Sequence, residues 1–131
     1  MAEKTRTMIV EDQPLQRQIT EQALTASGRY EVLSAIDNAD LADLYVDSLQ
    51  IELVLMDVYT ALGADGLAAA ERIKEQFPQT KVIITTSMPE SAWIVRAKAA
   101  GVESFWFKEV DTSKIVDICD RTMAGEQVYP A

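Results

Sequence analysis

Short apolar runs along the chain alternate with longer stretches in which apolar residues return every three or four positions. The runs fall at residues 7–10, 30–36, 53–56, 81–85 and 104–107. Most are continuous rather than alternating, the pattern of parallel strands covered on both faces. The stretches between them predict helices. The first opens at Pro14, whose fixed φ suits a first helical turn, carries Leu15, Ile19 and Ala23 on one stripe, and stops at Gly28. The second spans about 39–49 with Asp37 or Asn38 as its cap. A third, over about 66–77, follows Asp65, ends before Pro78 and turns Leu67, Ala70, Ile73 and Phe77 inward. The fourth begins near Pro89 and ends near Gly101, with Trp93, Ala97 and Ala100 facing the core. The fifth, about 113–123, is capped by Asp111 or Thr112 and has Ile115, Ile118 and Thr122 on one face. Five strands alternating with five helices predict a doubly wound α/β sheet. Ligands of such sheets sit outside the carboxyl ends of the strands, where the strand order reverses.

Composition narrows the chemistry. With 131 residues, one hydrophobic core is expected, and no repeat or Pro/Gly-rich linker divides the chain. The formal net charge of −9 repels phosphate backbones, so nucleic-acid binding by this chain itself is not expected. The absence of histidine excludes Ser-His-Asp and Cys-His catalysis and His-ligated zinc. Cys119, the single cysteine, lies on the apolar face of the last helix and reads as a buried core thiol. No apolar run approaches the roughly 20 residues of a membrane span, and the N-terminus lacks a signal-peptide core. No membrane association and a cytoplasmic location are therefore expected. Carboxylates, hydroxyls and lysines must carry any reaction.

Those residue types gather where the fold rule points. The first strand ends in Glu11-Asp12, the third in Asp57, the fourth in Thr85-Thr86-Ser87 and the fifth in Lys108. Three carboxylates in one crevice repel one another unless a cation joins them. Mg²⁺ suits such a set, because it takes a few carboxylate oxygens and keeps waters for a phosphate. A lysine and a hydroxyl on the same rim would neutralise and orient phosphoryl oxygens, with a carboxylate as nucleophile. Singly, each residue has a plainer reading: a turn Asp, a helix cap, a surface lysine. Four together on one rim read as a site.

The segments MIVEDQP, VLMDV, VIITTS and SFWFKE resemble the receiver domain of two-component response regulators, and the likeness spans nearly the whole chain. It implies a flavodoxin-like sheet of order 2-1-3-4-5, with the receiver over residues 1–124 and a linker or tail beginning in 125–131. It implies that Asp57 accepts a phosphoryl group from a sensor histidine kinase. Asp12 and Asp57 would bind Mg²⁺ directly, Glu11 through water, and Tyr59 through its backbone carbonyl. Thr86 would be the switch hydroxyl, Lys108 the phosphate-pairing ammonium, and Phe105 the switch aromatic that turns inward on phosphorylation. Glu11 replaces the usual Asp, the loop VYTALGADG lacks the usual proline and is one residue longer, and Glu109 replaces a proline often preceded by a cis bond. Lys108-Glu109, AAAERIKEQFP and GEQVYP resemble the NarL/LuxR-type subfamily, whose members usually continue into a helix-turn-helix DNA-binding domain. The resemblance also implies homodimer formation on phosphorylation.

Three functions are compatible with these residues. The leading one is a phosphorylation-controlled switch that catalyses its own phosphorylation and slow dephosphorylation. A dehalogenase-type phosphatase would need Asp-x-Asp at the first strand, where this chain has Glu11-Asp12. A degenerate or stand-alone receiver would act as an interaction module. Receivers that discharge quickly carry polar side chains two residues beyond the acceptor and two beyond the switch Thr. Here those positions are Tyr59 and Met88, which predicts a long-lived phosphoryl state.

Overall fold

The computed structural model describes residues 3–88, 90–108 and 113–130, with the side chain of Ser113 left aside. Five strands, β1 (Thr5–Val10), β2 (Tyr30–Ile36), β3 (Leu53–Asp57), β4 (Lys81–Thr86) and β5 (Ser104–Phe107), form one parallel sheet in the order β2-β1-β3-β4-β5. Helices α1 (Pro14–Ala26), α2 (Ala42–Leu49), α3 (Gly66–Gln76), α4 (Ser91–Ala100) and α5 (Ser113–Met123) alternate with them. The strand order reverses between β1 and β3, so the crevice lies above the ends of those two strands.

The continuous apolar runs are explained by two cores. Met8, Val10, Val54, Met56, Val82, Ile84 and Phe105 face a core shared with α2, α3 and α4. Their strand neighbours Ile9, Leu53, Leu55, Ile83 and Trp106 face the opposite core, with Leu24 of α1 and Ile115 and Cys119 of α5. Side chains alternate across a strand, so burial on both faces keeps the strand interiors largely apolar, buried Thr7 being an exception. Burial pushes the Cys119 thiol far up, consistent with a core thiol.

The helix signals resolve unevenly. Asp65 caps α3, its carboxylate accepting from the N–H groups of Leu67 (2.9 Å) and Ala68 (3.3 Å). Asn38, rather than Asp37, makes the next cap, accepting from Asp40 N–H at 2.8 Å. It opens a single 3-10 turn over Ala39–Leu41 that leads into α2. The stripe expected on α1 is rotated by one position. Leu15 is 69% exposed, while Thr20 and Leu24 are the buried residues of α1. Leu15 stands in the first turn, above the end of the sheet, where no element covers it. The inward line instead carries Gln16 and Thr20 toward a cavity of about 10 Å³, lined also by Glu11, Thr85, Trp106 and Lys108. That volume holds roughly one water. Helix α4 is described from Ser91, with Ala97 buried and Trp93 half-buried, whereas the start expected at Pro89 lies outside the described residues. The caps expected at Asp111 or Thr112, and the peptide at Glu109, lie outside them too.

Residues expected to begin a linker pack onto the sheet. After α5 the chain turns at Gly125 (φ 102°) and runs back along β5, where Phe105 N–H donates to Val128 O at 2.8 Å. Val128 N–H donates to the Ser104 hydroxyl at 3.1 Å, and Tyr129 O–H donates to Val102 O at 2.6 Å. Among the described residues, no helix is long and apolar enough to cross a membrane.

Candidate functional site

The carboxyl ends of β1, β3 and β5 bring four of the expected residues into one cluster. Glu11 directly follows β1 and is 3% exposed, Asp57 ends β3 and is also buried, and Asp12 is half-buried beside them. Lys108, the residue after β5, donates to Asp57 Oδ2 at 2.9 Å and also to Glu11 Oε1. Glu11 is anchored further by Gln13 N–H, which donates to its Oε2 at 3.2 Å. Each of Glu11, Asp12 and Asp57 offers an oxygen within 4.8 Å of the others.

Three carboxylates therefore face one ammonium. Burial raises the Glu11 carboxyl above its ordinary value, its contact with Asp57 raises it further, and Lys108 pulls it back. The donor set is all hard oxygen, which suits Mg²⁺ or Ca²⁺ and not a soft metal. Two oxygens bound directly to one Mg²⁺ at about 2.1 Å lie at most about 4.2 Å apart. Oxygens within 4.8 Å of one another are close enough for the three to share one cation, directly or through a water.

The surrounding loops hold Asp57 in place. Gly66 N–H donates to Val58 O at 2.8 Å, bringing the start of α3 against the end of β3. A Cβ added at Gly66 would collide with the Asp57 carbonyl oxygen and stand 2.8 Å from its carbon and 3.1 Å from Met56 Cγ. Buried Thr60 locks the loop: its hydroxyl donates to Ala64 O at 3.0 Å and accepts from Ala39 N–H at 2.9 Å. The longer loop is accommodated by a short 3-10 turn at Ala61–Gly63, where Leu62 adopts φ 60° and points into solvent.

The remaining expected residues stand apart from the charge cluster or only border it. Thr86 is buried, its hydroxyl accepts from Met88 N–H at 3.1 Å, and its carbonyl accepts from Lys108 N–H at 2.8 Å. Tyr59 (59% exposed) and Met88 (42% exposed) stand on the surface of the adjoining loops. The Tyr59 ring packs edge-to-face on Trp93 of α4, with centroids 5.3 Å apart. Phe105 lies in the core at 2% exposure, between the rings of Phe107 and Tyr129. Reading the sequence missed Gly66, Gln16 and Thr20. The available signal was a glycine at the first position of a helix, where almost any other residue propagates the helix better.

The sequence profile of the response regulator receiver domain matches residues 7–120. The chain belongs to that family. It is 30% identical over 124 residues to the response regulator protein VraR of Staphylococcus aureus, an alignment covering 95% of this chain and 59% of VraR. The chain thus spans about three fifths of the length of the curated relatives it matches. Among solved structures, the signal receiver domain of NarL from Mycobacterium tuberculosis superposes with a TM-score of 0.88 at 25% identity, covering 95% of this chain and all of that one. A LuxR-family two-component response regulator from Aurantimonas sp. SI85-9A1 gives a TM-score of 0.88 over 96% of this chain and 89% of its own, and at 23% identity it supports the fold. This receiver domain therefore has the flavodoxin-like fold and strand order that its sequence resemblance implied. Glu11, Asp12, Asp57 and Lys108 all lie within the matched residues 7–120.

Proposed function

We propose that this receiver domain accepts a phosphoryl group on Asp57, from the phosphohistidine of a sensor histidine kinase, and that the modification switches an output. The observation that carries this reading is the Lys108 ammonium 2.9 Å from Asp57, with Glu11 and Asp12 oxygens within 4.8 Å of the same carboxylate. In the transfer, an Asp57 carboxylate oxygen forms the new O–P bond as the N–P bond to the donor imidazole breaks. Asp12 and Asp57 would hold Mg²⁺ directly, with Glu11 through water and the Tyr59 carbonyl as a further ligand. The cation supplies charge neutralisation at the phosphoryl oxygens. Lys108 pairs with the phosphoryl group, and Thr86 exchanges its bond from Met88 N–H for one to the new oxygens. The receiver proposed over residues 1–124 carries Val128 and Tyr129 packed along β5, and 125–131 would lead toward an output. That output is transcription, through a DNA-binding domain of the helix-turn-helix kind, with pairing of two receivers on phosphorylation, all in the cytoplasm.

Incubation with acetyl phosphate and Mg²⁺ should add one phosphoryl mass to the intact protein, and Asp57→Asn should abolish it. A label retained by Asp57→Asn would refute the assignment. A wild-type chain that takes no label would favour a degenerate receiver acting as an interaction module, and steady turnover of phosphate esters would mark a phosphatase.

The cation should bind the folded state and stabilise it by about 1–3 kcal/mol at saturation. Thermal melts with and without millimolar Mg²⁺ check this, and Asp12→Ala should remove the rise. Indifference of the wild-type melting temperature would argue against a metal role for the cluster.

Tyr59 and Met88 set the lifetime of the acyl phosphate, because hydrolysis needs a water held in line: Met88 offers it no useful hydrogen bond, and the bulky Tyr59 ring would cover the phosphoryl group and exclude it. Support comes from the position of Tyr59, braced against Trp93 beside the acceptor loop. Tyr59→Asn combined with Met88→Glu should speed decay about tenfold, a barrier change of roughly 1.4 kcal/mol. Decay is followed as loss of the phosphoryl mass after the donor is removed, and an unchanged rate would exclude the two positions.

A further inference from the structure

On β5, Phe105 is covered almost completely. What covers it is the chain's own tail. The Tyr129 ring lies 6.3 Å from the Phe105 ring at an interplanar angle of 30°, while Phe107 closes the other side at 5.6 Å. Tyr129 is fixed at three further points. Its hydroxyl donates to Val102 O at 2.6 Å, the Lys98 ammonium of α4 sits 4.9 Å from its ring centroid, and Phe105 N–H holds the adjoining Val128 O at 2.8 Å. Burial also pushes the Tyr129 phenol up to about 12, which keeps it a donor at any physiological pH.

We infer that the segment around Val128 and Tyr129 is a strap that clasps α4 and the edge of β5 in the resting domain, and that phosphorylation releases it. The inference rests on Asp57 being the phosphoacceptor. The geometric chain is short. Thr86 O is bonded to Lys108 N–H, and the Thr86 hydroxyl holds Met88 N–H in the loop that leads into α4. When the Thr86 hydroxyl leaves Met88 for a phosphoryl oxygen, the loop and α4 shift, and Lys98 moves relative to the Tyr129 ring. The strap touches both α4, through Lys98, and β5, through Phe105, so a shift of α4 loosens it. Val128 and Tyr129 are tied on by one backbone pair, two bonds that involve a hydroxyl, and ring contacts, few enough for a population shift to undo.

Amide hydrogen exchange at Phe105 reads the strap directly, since that N–H is its backbone tie. Beryllofluoride with Mg²⁺ serves as the phosphoryl analogue, and fluorine NMR reports whether it is bound. With the analogue bound, the Phe105 amide should exchange about fivefold faster or more, while the Ile84 amide in the sheet interior stays as protected as before. Tyr129→Phe, which loses only the hydroxyl bond, should give part of that acceleration without the analogue, and Tyr129→Ala should give all of it. By linkage, Tyr129→Ala should also bind the analogue at proportionally lower concentration. A bound fluorine signal with unchanged Phe105 exchange overturns the strap and leaves the acceptor assignment standing. No bound signal in the wild-type protein overturns both, for the strap would then have no event to respond to. If Tyr129→Ala frees the Phe105 amide but leaves the analogue's apparent affinity unchanged, the tail is packing alone and the inference fails.

Discussion

Gly66→Ala should destabilise the domain by about 3 kcal/mol and leave little protein able to take a phosphoryl label. Two effects compete at this position. Alanine propagates a helix better than glycine by about 1 kcal/mol, which on its own would make the substitution favourable. Against it stands the main chain of Asp57, whose carbonyl an alanine methyl group would overlap. The obstacle is backbone in the central strand, buried on both faces, so it cannot swing aside as a flexible side chain would. Either α3 retreats, breaking the bond from Gly66 N–H to Val58 O, or the end of β3 bends and takes the acceptor carboxylate with it. The clash therefore outweighs the propensity gain. Urea unfolding of the two proteins measures the cost, and labelling of the residual folded fraction measures the displacement of Asp57. Near-wild-type stability would show that α3 approaches β3 less closely than described.

Lys108→Met should cost about 3 kcal/mol near neutral pH, the penalty of leaving buried charges without their partner. The methionine keeps the apolar stem and loses the terminal ammonium, so most of the loss is electrostatic. Its sign with pH is the sharper test. The Glu11 carboxyl is already held above its ordinary value by burial and by Asp57, and removing the lysine raises it further. A carboxyl whose folded value exceeds its unfolded value stabilises the fold when protonated, and that contribution is lost as pH rises through the folded value. The variant should therefore regain stability on acidification from neutral to about pH 5. The opposite trend belongs to Asp120, held below its ordinary value by Arg29 and then by the Tyr30 hydroxyl, whose contribution is lost only at lower pH. Mg²⁺ should also stabilise the variant more than the wild type, since it replaces the missing positive charge. A variant whose urea midpoint is flat between those pH values would show that Glu11 is not strained by its surroundings.

The strands were legible because two-sided burial writes itself into sequence as unbroken apolar runs, from Leu53 to Met56 above all. The charged cluster was legible for a related reason: Glu11, Asp12, Asp57 and Lys108 each follow such a run, so parallel strands bring them to one rim. Helix α1 was misjudged because its inward line includes Gln16 and Thr20, polar residues that face the lysine side of the cluster and carry no hydrophobic signal. Gly66 was missed because its importance lies in the space beside Asp57, which no local pattern records. Phe105 stands on the expected strand, but its cover comes from Tyr129, in a tail too short to show a strand or helix period.

That tail has a consequence for the molecule's colloidal behaviour. A strand at the border of a sheet offers unpaired amides to any other extended chain, and such borders seed fibrils and inclusion bodies. On β5 the Phe105 N–H is already taken by Val128 O, and the Ser104 hydroxyl is taken by Val128 N–H. The chain thereby shields its own sheet from its neighbours. Cutting the polypeptide at residue 124, where helix-based domain boundaries would place the end, strips that shield and bares Phe105 beside an open row of peptide groups.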